Sequence, residues 1–249
     1  MAGKMIQPSF HIDGSDRAGR WLFTCDHATN HVPDWVSGGD LGLDPTDMKR
    51  HIAFDLGAAA MTRKLSTALD SPALLSNFSR LVIDPNRGED DPTLLMKLYD
   101  GTIIPANRHA NDAERNRRLK QLYRPYHAAY AGLVARRHDV VICAVHSFTP
   151  KLKGRAPRPW EIGVLYARDA RLAMPFITAC RAKGWCVGDN EPYSGHLPGD
   201  AVDRHALGTG RPNVLLELRN DLITDEAGQT LWADRLAPIL KDVLANSGL

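Results

Sequence analysis

Apolar residues in this chain follow two spacings, and the alternation between them predicts an α/β fold. Short β-rich runs at about 21 to 25, 80 to 84, 139 to 145, 161 to 166 and 213 to 218 are each bounded by turn formers or charge. Between them, Thr46 to Leu69, Asp112 to Arg137 and Asp169 to Lys183 carry apolar residues at helical period. The first of these starts plausibly at Thr46-Asp47 and shows an apolar stripe through Ile52, Leu56 and Met61. Thr230 to Ala245 reads as an amphipathic helix with Trp232, Leu236 and Ile239 inward. Alternation of this kind builds crossover units, so the expected architecture is a mixed, largely parallel sheet flanked by helices.

No linker-like stretch, internal repeat or low-complexity tract interrupts the pattern, and residues 1–249 read as a single domain. Three stretches rich in Gly, Pro and charge, 85 to 105, 149 to 160 and 189 to 212, are expected binding loops. Composition narrows the partners. A net charge of +2, from 31 basic and 29 acidic residues, gives no argument for nucleic acid, although local clusters can still hold a small anion. No segment approaches the roughly 18 apolar residues of a membrane span, and the first twenty residues lack the apolar core of an export signal. The four cysteines form no CxxC spacing, so a reduced, cytoplasmic protein is expected.

The chemistry gathers at strand ends. His27 follows the first run, His146 ends the third, and Val214-Leu215-Leu216 delivers Glu217. Carboxyl ends of parallel strands line the ligand crevice of an open sheet, so two imidazoles and a carboxylate arriving this way predict a hydrolytic metal centre. Leu81-Val82-Ile83 leads into Asp84, Asn86 and Arg87; the guanidinium and amide suit a substrate carboxylate, and Asp84 suits the spare N–H of a ligand histidine.

Blander readings stand beside these. Each histidine can be an ordinary hydrogen-bonded core residue, Glu217 can pair with Arg219, and Arg87 with Glu89 or Asp90. His51 and Asp55 suit an i,i+4 helix pair or a face turned to the site, and Arg115-Asn116-Arg117-Arg118 suits a solvated helix face. His127 and Tyr126 fall in a helical stretch where they can line the pocket, and His205 and Arg108 in loops where either can touch substrate or only solvent.

The strings Cys25-Asp26-His27-Ala28-Thr29-Asn30, His51 to Ala58, Ser79 to Arg87, Pro125-Tyr126-His127, His146 to Pro150 and Glu217 to Ile223 together resemble the N-formylglutamate amidohydrolase family. That family is similar in fold to the zinc carboxypeptidases. The resemblance implies Zn2+ or another divalent transition metal, held by His27 and His146. It further implies Glu217 as general base, Asp84 behind a ligand histidine, Asn86-Arg87 as carboxylate anchor and Tyr193 as a mobile tyrosine. Arg80 and Tyr193 are candidates for stabilising the oxyanion. Where the carboxypeptidase pattern has a ligand glutamate this chain has Asn30, a weak donor, which leaves the third ligand between Asp26 and Asn30. Asp26 can join His27 only if the strand breaks there, since adjacent strand residues face opposite sides.

The activity so implied is hydrolysis of N-formyl-L-glutamate to formate and L-glutamate, a reaction on a small-molecule carboxylate. Alternatives are a deacylase or carboxypeptidase-like hydrolase for other N-acyl amino acids, and a metal-free carboxylate-binding protein. Ser147 beside His146 also raises a serine hydrolase, but no GxSxG elbow is present.

Overall fold

The computed structural model describes residues 7–195 and 197–249; residues 1–6 of the polar N-terminal stretch and residue 196 of the third loop lie outside the described residues. The chain begins with β1 (Phe10–Asp13), β2 (Trp21–Cys25), α1 (Ala58–Ala68), β3 (Ala73–Ser76) and a hairpin of β4 (Leu98–Tyr99) and β5 (Thr102–Ile103). Helices α2 (Pro105–Arg108) and α3 (Asp112–Arg118) lead through a π-helical turn, Leu119–Tyr123, into α4 (Arg124–Ala135). The rest comprises β6 (Val141–Phe148), β7 (Ile162–Leu165), α5 (Ala173–Ala182), β8 (Val187–Asp189), α6 (Ala201–His205), β9 (Asn213–Arg219) and α7 (Glu226–Ala245).

Strands buried at every position, as β2 and β6 are, need cover on both faces. They sit in the middle of a seven-stranded sheet of order β1-β3-β2-β6-β9-β7-β8. β3, β2, β6 and β9 run parallel; β1 pairs antiparallel with β3, and β7 antiparallel with β9. The sheet is therefore mixed and largely parallel, as the alternation predicts. Side chains alternate across it. Trp21, Phe23, Cys25, Val141, Cys143 and Val145 pack with the α1, α5 and α7 residues Met61, Phe176 and Trp232. Leu22, Ile142, Ala144 and Leu215 pack on the other side with Tyr126 and Tyr130 of α4. His146 and Glu217 continue the period of this second face.

Several boundaries differ from the sequence expectation. The run at 80 to 84 is fully buried but forms turns, and β3 takes the place in the sheet. Ser79 explains this: its hydroxyl accepts from Leu81 N and its carbonyl from Val82 N, taking donors that a strand ladder needs. The helix expected from Thr46 begins only at Ala58. Gly57, at φ +79°, turns the chain in a left-handed step against the Ile223 carbonyl, where any Cβ would collide. The expected helix 112 to 137 is interrupted because Pro125 has no N–H to give to the preceding turn, and a π turn absorbs the mismatch. α7 starts earlier than Thr230, with Asp225 as its cap accepting from Gly228 N at 2.8 Å. Trp232, Leu236 and Ile239 are buried as expected. Among the described residues no helix is long and apolar enough to cross a membrane.

Candidate metal centre

Four neighbouring parallel strands, β3, β2, β6 and β9, deliver the polar residues to one end of the sheet. The segment after β3 brings Arg80, Asp84, Asn86 and Arg87; β2 runs into Asp26 and His27; β6 carries His146 and β9 carries Glu217. His146 and Glu217 are register partners on adjacent strands. Together they floor a cleft of about 290 Å³ whose walls include Arg87, Tyr99, Phe148 and Tyr193.

At the bottom of the cleft, Asp55 Oδ2 lies 3.2 Å from His27 Nδ1 and 2.9 Å from His146 Nδ1. One donor atom from each of these three buried residues falls within 4.8 Å of the others. The opposite ring nitrogens face carboxylates as well. His27 Nε2 lies 2.7 Å from Asp84 Oδ1, and His146 Nε2 lies 3.4 Å from Asp26 Oδ2. Each imidazole thus has an acceptor on both sides, which a neutral ring with one N–H cannot satisfy. Either a second proton on the ring or a divalent cation held by His27, Asp55 and His146 would resolve this, the cation leaving one N–H per ring for Asp84 or Asp26. The donor set of two imidazoles and a carboxylate, with borderline-soft nitrogen and hard oxygen, fits zinc or a similar transition metal.

Electrostatics supports the same fit. Asp26, Asp55, Asp84 and Glu217 are all buried here, against one permanent cation, Arg80. Arg80 donates to Asp84 Oδ2 through Nη2 at 2.8 Å and reaches Asp55 Oδ1 at 3.5 Å. Burial works against the charge on Asp84, yet Arg80 and His27 hold it well below the usual carboxylate range. Burial likewise opposes Asp55, but His27 and His146 push it down. At His146 burial disfavours the charged ring and loses to Asp26 and Asp55, which raise its pKa. The spot between the rings therefore attracts positive charge. Glu217 is the exception among the acids: burial pushes its carboxyl up to about 7, with His146 pulling the other way, and its Oε2 has no hydrogen-bond partner.

The two expected third ligands go elsewhere. Asp26 turns away from His27, as alternation along a strand demands, accepting from Tyr126 OH at 2.5 Å and facing the far nitrogen of His146. Asn30 donates its amide to Met48 O, pinning the loop that carries Asp55. Asp55 itself is not on a helix with His51; its N–H bonds the His27 carbonyl at 2.9 Å, and Ser147 Oγ holds the Leu56 carbonyl at 2.7 Å. The string His51 to Ala58 contained the signal, an acid before the glycine, but helical periodicity masked it. The bland pairings expected for Glu217 and Arg87 are absent among the described residues: Arg219 pairs with Asp221 and Glu89 with Arg124.

Tyr126 and His127, which the sequence offers as pocket-lining residues on a helix, lie beneath the site with Tyr123. The π turn aims Tyr123, Tyr126 and His127 at the floor, where they bond the Arg87 carbonyl, Asp26 and the Pro85 carbonyl. Arg118 is buried rather than solvated, donating to the Val82 carbonyl and Asn107. Asp200 lines the cleft as the cap of α6, and burial pushes its carboxyl up to about 6. Tyr193 stands at the rim, 41% exposed, its hydroxyl 3.2 Å from Arg158 Nη1.

Comparison with known proteins places the chain. A gene product of Agrobacterium tumefaciens is 33% identical, with a TM-score of 0.90 across 96% of this chain and 95% of its own. The N-formylglutamate amidohydrolase of Ralstonia eutropha is 22% identical, with a TM-score of 0.74 across 95% of this chain and 97% of that one. A bacteriophage poly-γ-glutamate hydrolase, 11% identical, shares the fold at a TM-score of 0.50 across 97% of this chain and 91% of its own. No match was found among curated proteins. The family described as N-formylglutamate amidohydrolase matches residues 19–224. With most of its length so matched, the chain belongs to the N-formylglutamate amidohydrolase family.

Proposed function

We propose that the chain hydrolyses the N-acyl amide of a small amino acid, with N-formyl-L-glutamate and water giving formate and L-glutamate. One observation carries this reading: an unpaired buried carboxyl, Glu217, stands beside the His27, Asp55 and His146 cluster at the floor of an open cleft. In this reading His27, Asp55 and His146 hold Zn2+ or another divalent transition metal. When bound, such an ion polarises the scissile carbonyl and lowers the pKa of water in the site towards about 7.

The chain's own residues do the rest. Glu217, poised near neutrality, takes the proton of the attacking water at its free Oε2 and hands it to the departing amine, so the C–N bond breaks without releasing an anionic nitrogen. Asp84 and Asp26 hold the two rings from behind. Arg80 is occupied by Asp84 and Asp55, so its part is to hold those carboxylates charged and in place. Tyr193 at the rim accepts from Arg158 and keeps its own O–H to donate towards developing negative charge. Asn86 fixes its Oδ1 on Ala201 N at 3.2 Å, which leaves its amide N–H groups, with Arg87, for the substrate α-carboxylate.

Formate release from N-formyl-L-glutamate, measured on metal-analysed protein before and after chelation, tests the reading. Turnover that disappears with chelator and returns with zinc is expected. Protein that contains no metal, gains none and releases no formate would instead be a carboxylate binder.

A further inference from the structure

Beside Tyr193, Arg158 is a cation without an acid among the described residues. Its backbone N–H bonds the Pro150 carbonyl at 2.8 Å, and its Nη1 donates to the Thr149 carbonyl at 3.1 Å and the Tyr193 hydroxyl at 3.2 Å. The guanidinium carbon lies 5.1 Å from the Tyr193 ring centre and 5.7 Å from that of Phe148. Thr149, Tyr193 and Phe148 all line the cleft. No carboxylate lies within ion-pair distance of Arg158 among the described residues, whereas Arg50, Arg80, Arg118, Arg124 and Arg171 each have one.

Arg87 shares that condition. It donates to Thr93 and to the Asn86 carbonyl, has no carboxylate partner among the described residues, and lines the same cleft. A guanidinium stacked on aromatic rings is rigid and only weakly hydrated, so little is lost when it takes up a carboxylate. Arg87 in the lining and Arg158 held against the lining residues Phe148, Thr149 and Tyr193, with the apolar Leu165 and Leu215 also in that lining, match a ligand with two carboxylates joined by methylenes.

We propose that Arg158 is the specificity residue for the substrate's side-chain carboxylate, so that the site selects acidic N-acyl amino acids over neutral ones. This rests on the hydrolytic reading above, in which Arg87 takes the α-carboxylate. Tyr193 is coupled to the choice: its hydroxyl shares Arg158 Nη1, so a carboxylate arriving on that guanidinium competes with the tyrosine and frees it.

The test compares zinc-loaded wild type, Arg158→Gln and Arg158→Lys on N-formyl-L-glutamate and on its neutral isostere N-formyl-L-glutamine. Loss of one charge-assisted hydrogen-bonding group predicts that Arg158→Gln lowers kcat/KM for the glutamate substrate by about 10- to 100-fold, mostly through KM. The readout is the ratio of kcat/KM on the two substrates: any loss through Tyr193, whose hydroxyl shares Arg158 Nη1, falls on both, and loss of the carboxylate contact falls on the glutamate substrate in addition. Arg158→Lys recovers part of the preference. Equal losses on both substrates, no loss on either, or a lysine variant that discriminates no better than the glutamine one overturn the assignment. Should wild type hydrolyse neither compound, the hydrolytic reading fails. Calorimetric titration of the same three proteins with the two compounds then still decides whether Arg158 reads the charge.

Discussion

His27 Nε2 lies 2.7 Å from Asp84 Oδ1, and with its N–H on that side the ring would present the Nδ1 lone pair, 3.2 Å from Asp55 Oδ2, to a metal. Asp84 therefore sets the tautomer on which the cluster depends, and Arg80 keeps Asp84 ionised for that purpose. Replacing Asp84 by Asn removes the charge while keeping the shape. The expected outcome is zinc affinity lower by about 10- to 100-fold, as for other partners that orient ligand histidines. Competition with a chromophoric chelator measures it; unchanged affinity would mean that His27 does not depend on Asp84.

Asp55 bridges the two rings, so its loss should act on metal rather than on fold alone. Asp55→Ala removes one of three donors and leaves His146 Nδ1 and His27 Nδ1 without their common partner. Metal content of the purified variant should fall far below one equivalent, whereas Asn30→Ala, which touches only the Met48 carbonyl, should keep its metal. A metal-replete Asp55→Ala protein would return the choice of third ligand to Asp26.

Glu217 offers a kinetic signature. Its carboxyl must be ionised to accept a proton, and burial raises it to about 7, so kcat/KM should climb with pH and level off above that value. Glu217→Gln should lower kcat by about 100- to 10,000-fold with metal retained, and should abolish the acidic limb of the profile. A variant that keeps the limb would assign it to another group.

The largely parallel sheet and the convergence of His27, His146 and Glu217 at one end of it were legible because strand-end chemistry leaves a local mark: an apolar run, then a polar residue. Asp55 left no such mark. Its neighbours Ile52, Leu56 and Met61 fall at helical spacing, and only the backbone shows that Gly57 turns left-handed before α1 begins. The 80 to 84 run misled for the opposite reason. Its apolar residues are buried as a strand's would be, but Ser79 and the Arg80–Asp84 pair tie it into turns. Tyr126 on Asp26 is hidden in another way: the two are a hundred residues apart in sequence and have no period to betray them.

Gly163 is the register partner of Glu217 on β7, and a Cβ there would overlap the Glu191 carbonyl and press within 3.2 Å of Glu217 Cβ. Gly163→Ala should therefore displace either the loop at Glu191 or Glu217, the base in the proposed reaction. Fill of a tightly packed site typically costs about 1–3 kcal/mol, and a base moved by a fraction of an ångström loses rate as well. Chemical denaturation and kcat together check this: a variant with wild-type values in both would show that the space beside Glu217 is larger than the packing indicates.

Beneath the site, His127 Nε2 donates to the Pro85 carbonyl at 3.0 Å, so its Nδ1 must accept from His205 Nε2 at 2.9 Å. Burial drives both rings towards the neutral form, His127 down to about 3 and His205 down to about 4, with Arg204 adding to each. In the unfolded chain both titrate near about 6.5. Their folded pKa values are depressed, so the stability they contribute is complete above about 6.5 and is lost as pH falls through that value towards about 4 and then 3. Each histidine steepens the acid side of the stability curve by up to about 1.4 kcal/mol per pH unit. Urea unfolding at pH 7.5, 6.0 and 5.0 should show this decline in the wild type. His205→Phe keeps a ring against Tyr130, which stacks on His205 at 4.1 Å, but removes one titrating group and leaves His127 Nδ1 without its donor. That variant should start less stable by about 1–3 kcal/mol at pH 7.5 and lose stability more gently on acidification. A slope as steep as wild type would place the acid sensitivity elsewhere, in the carboxylates around His146.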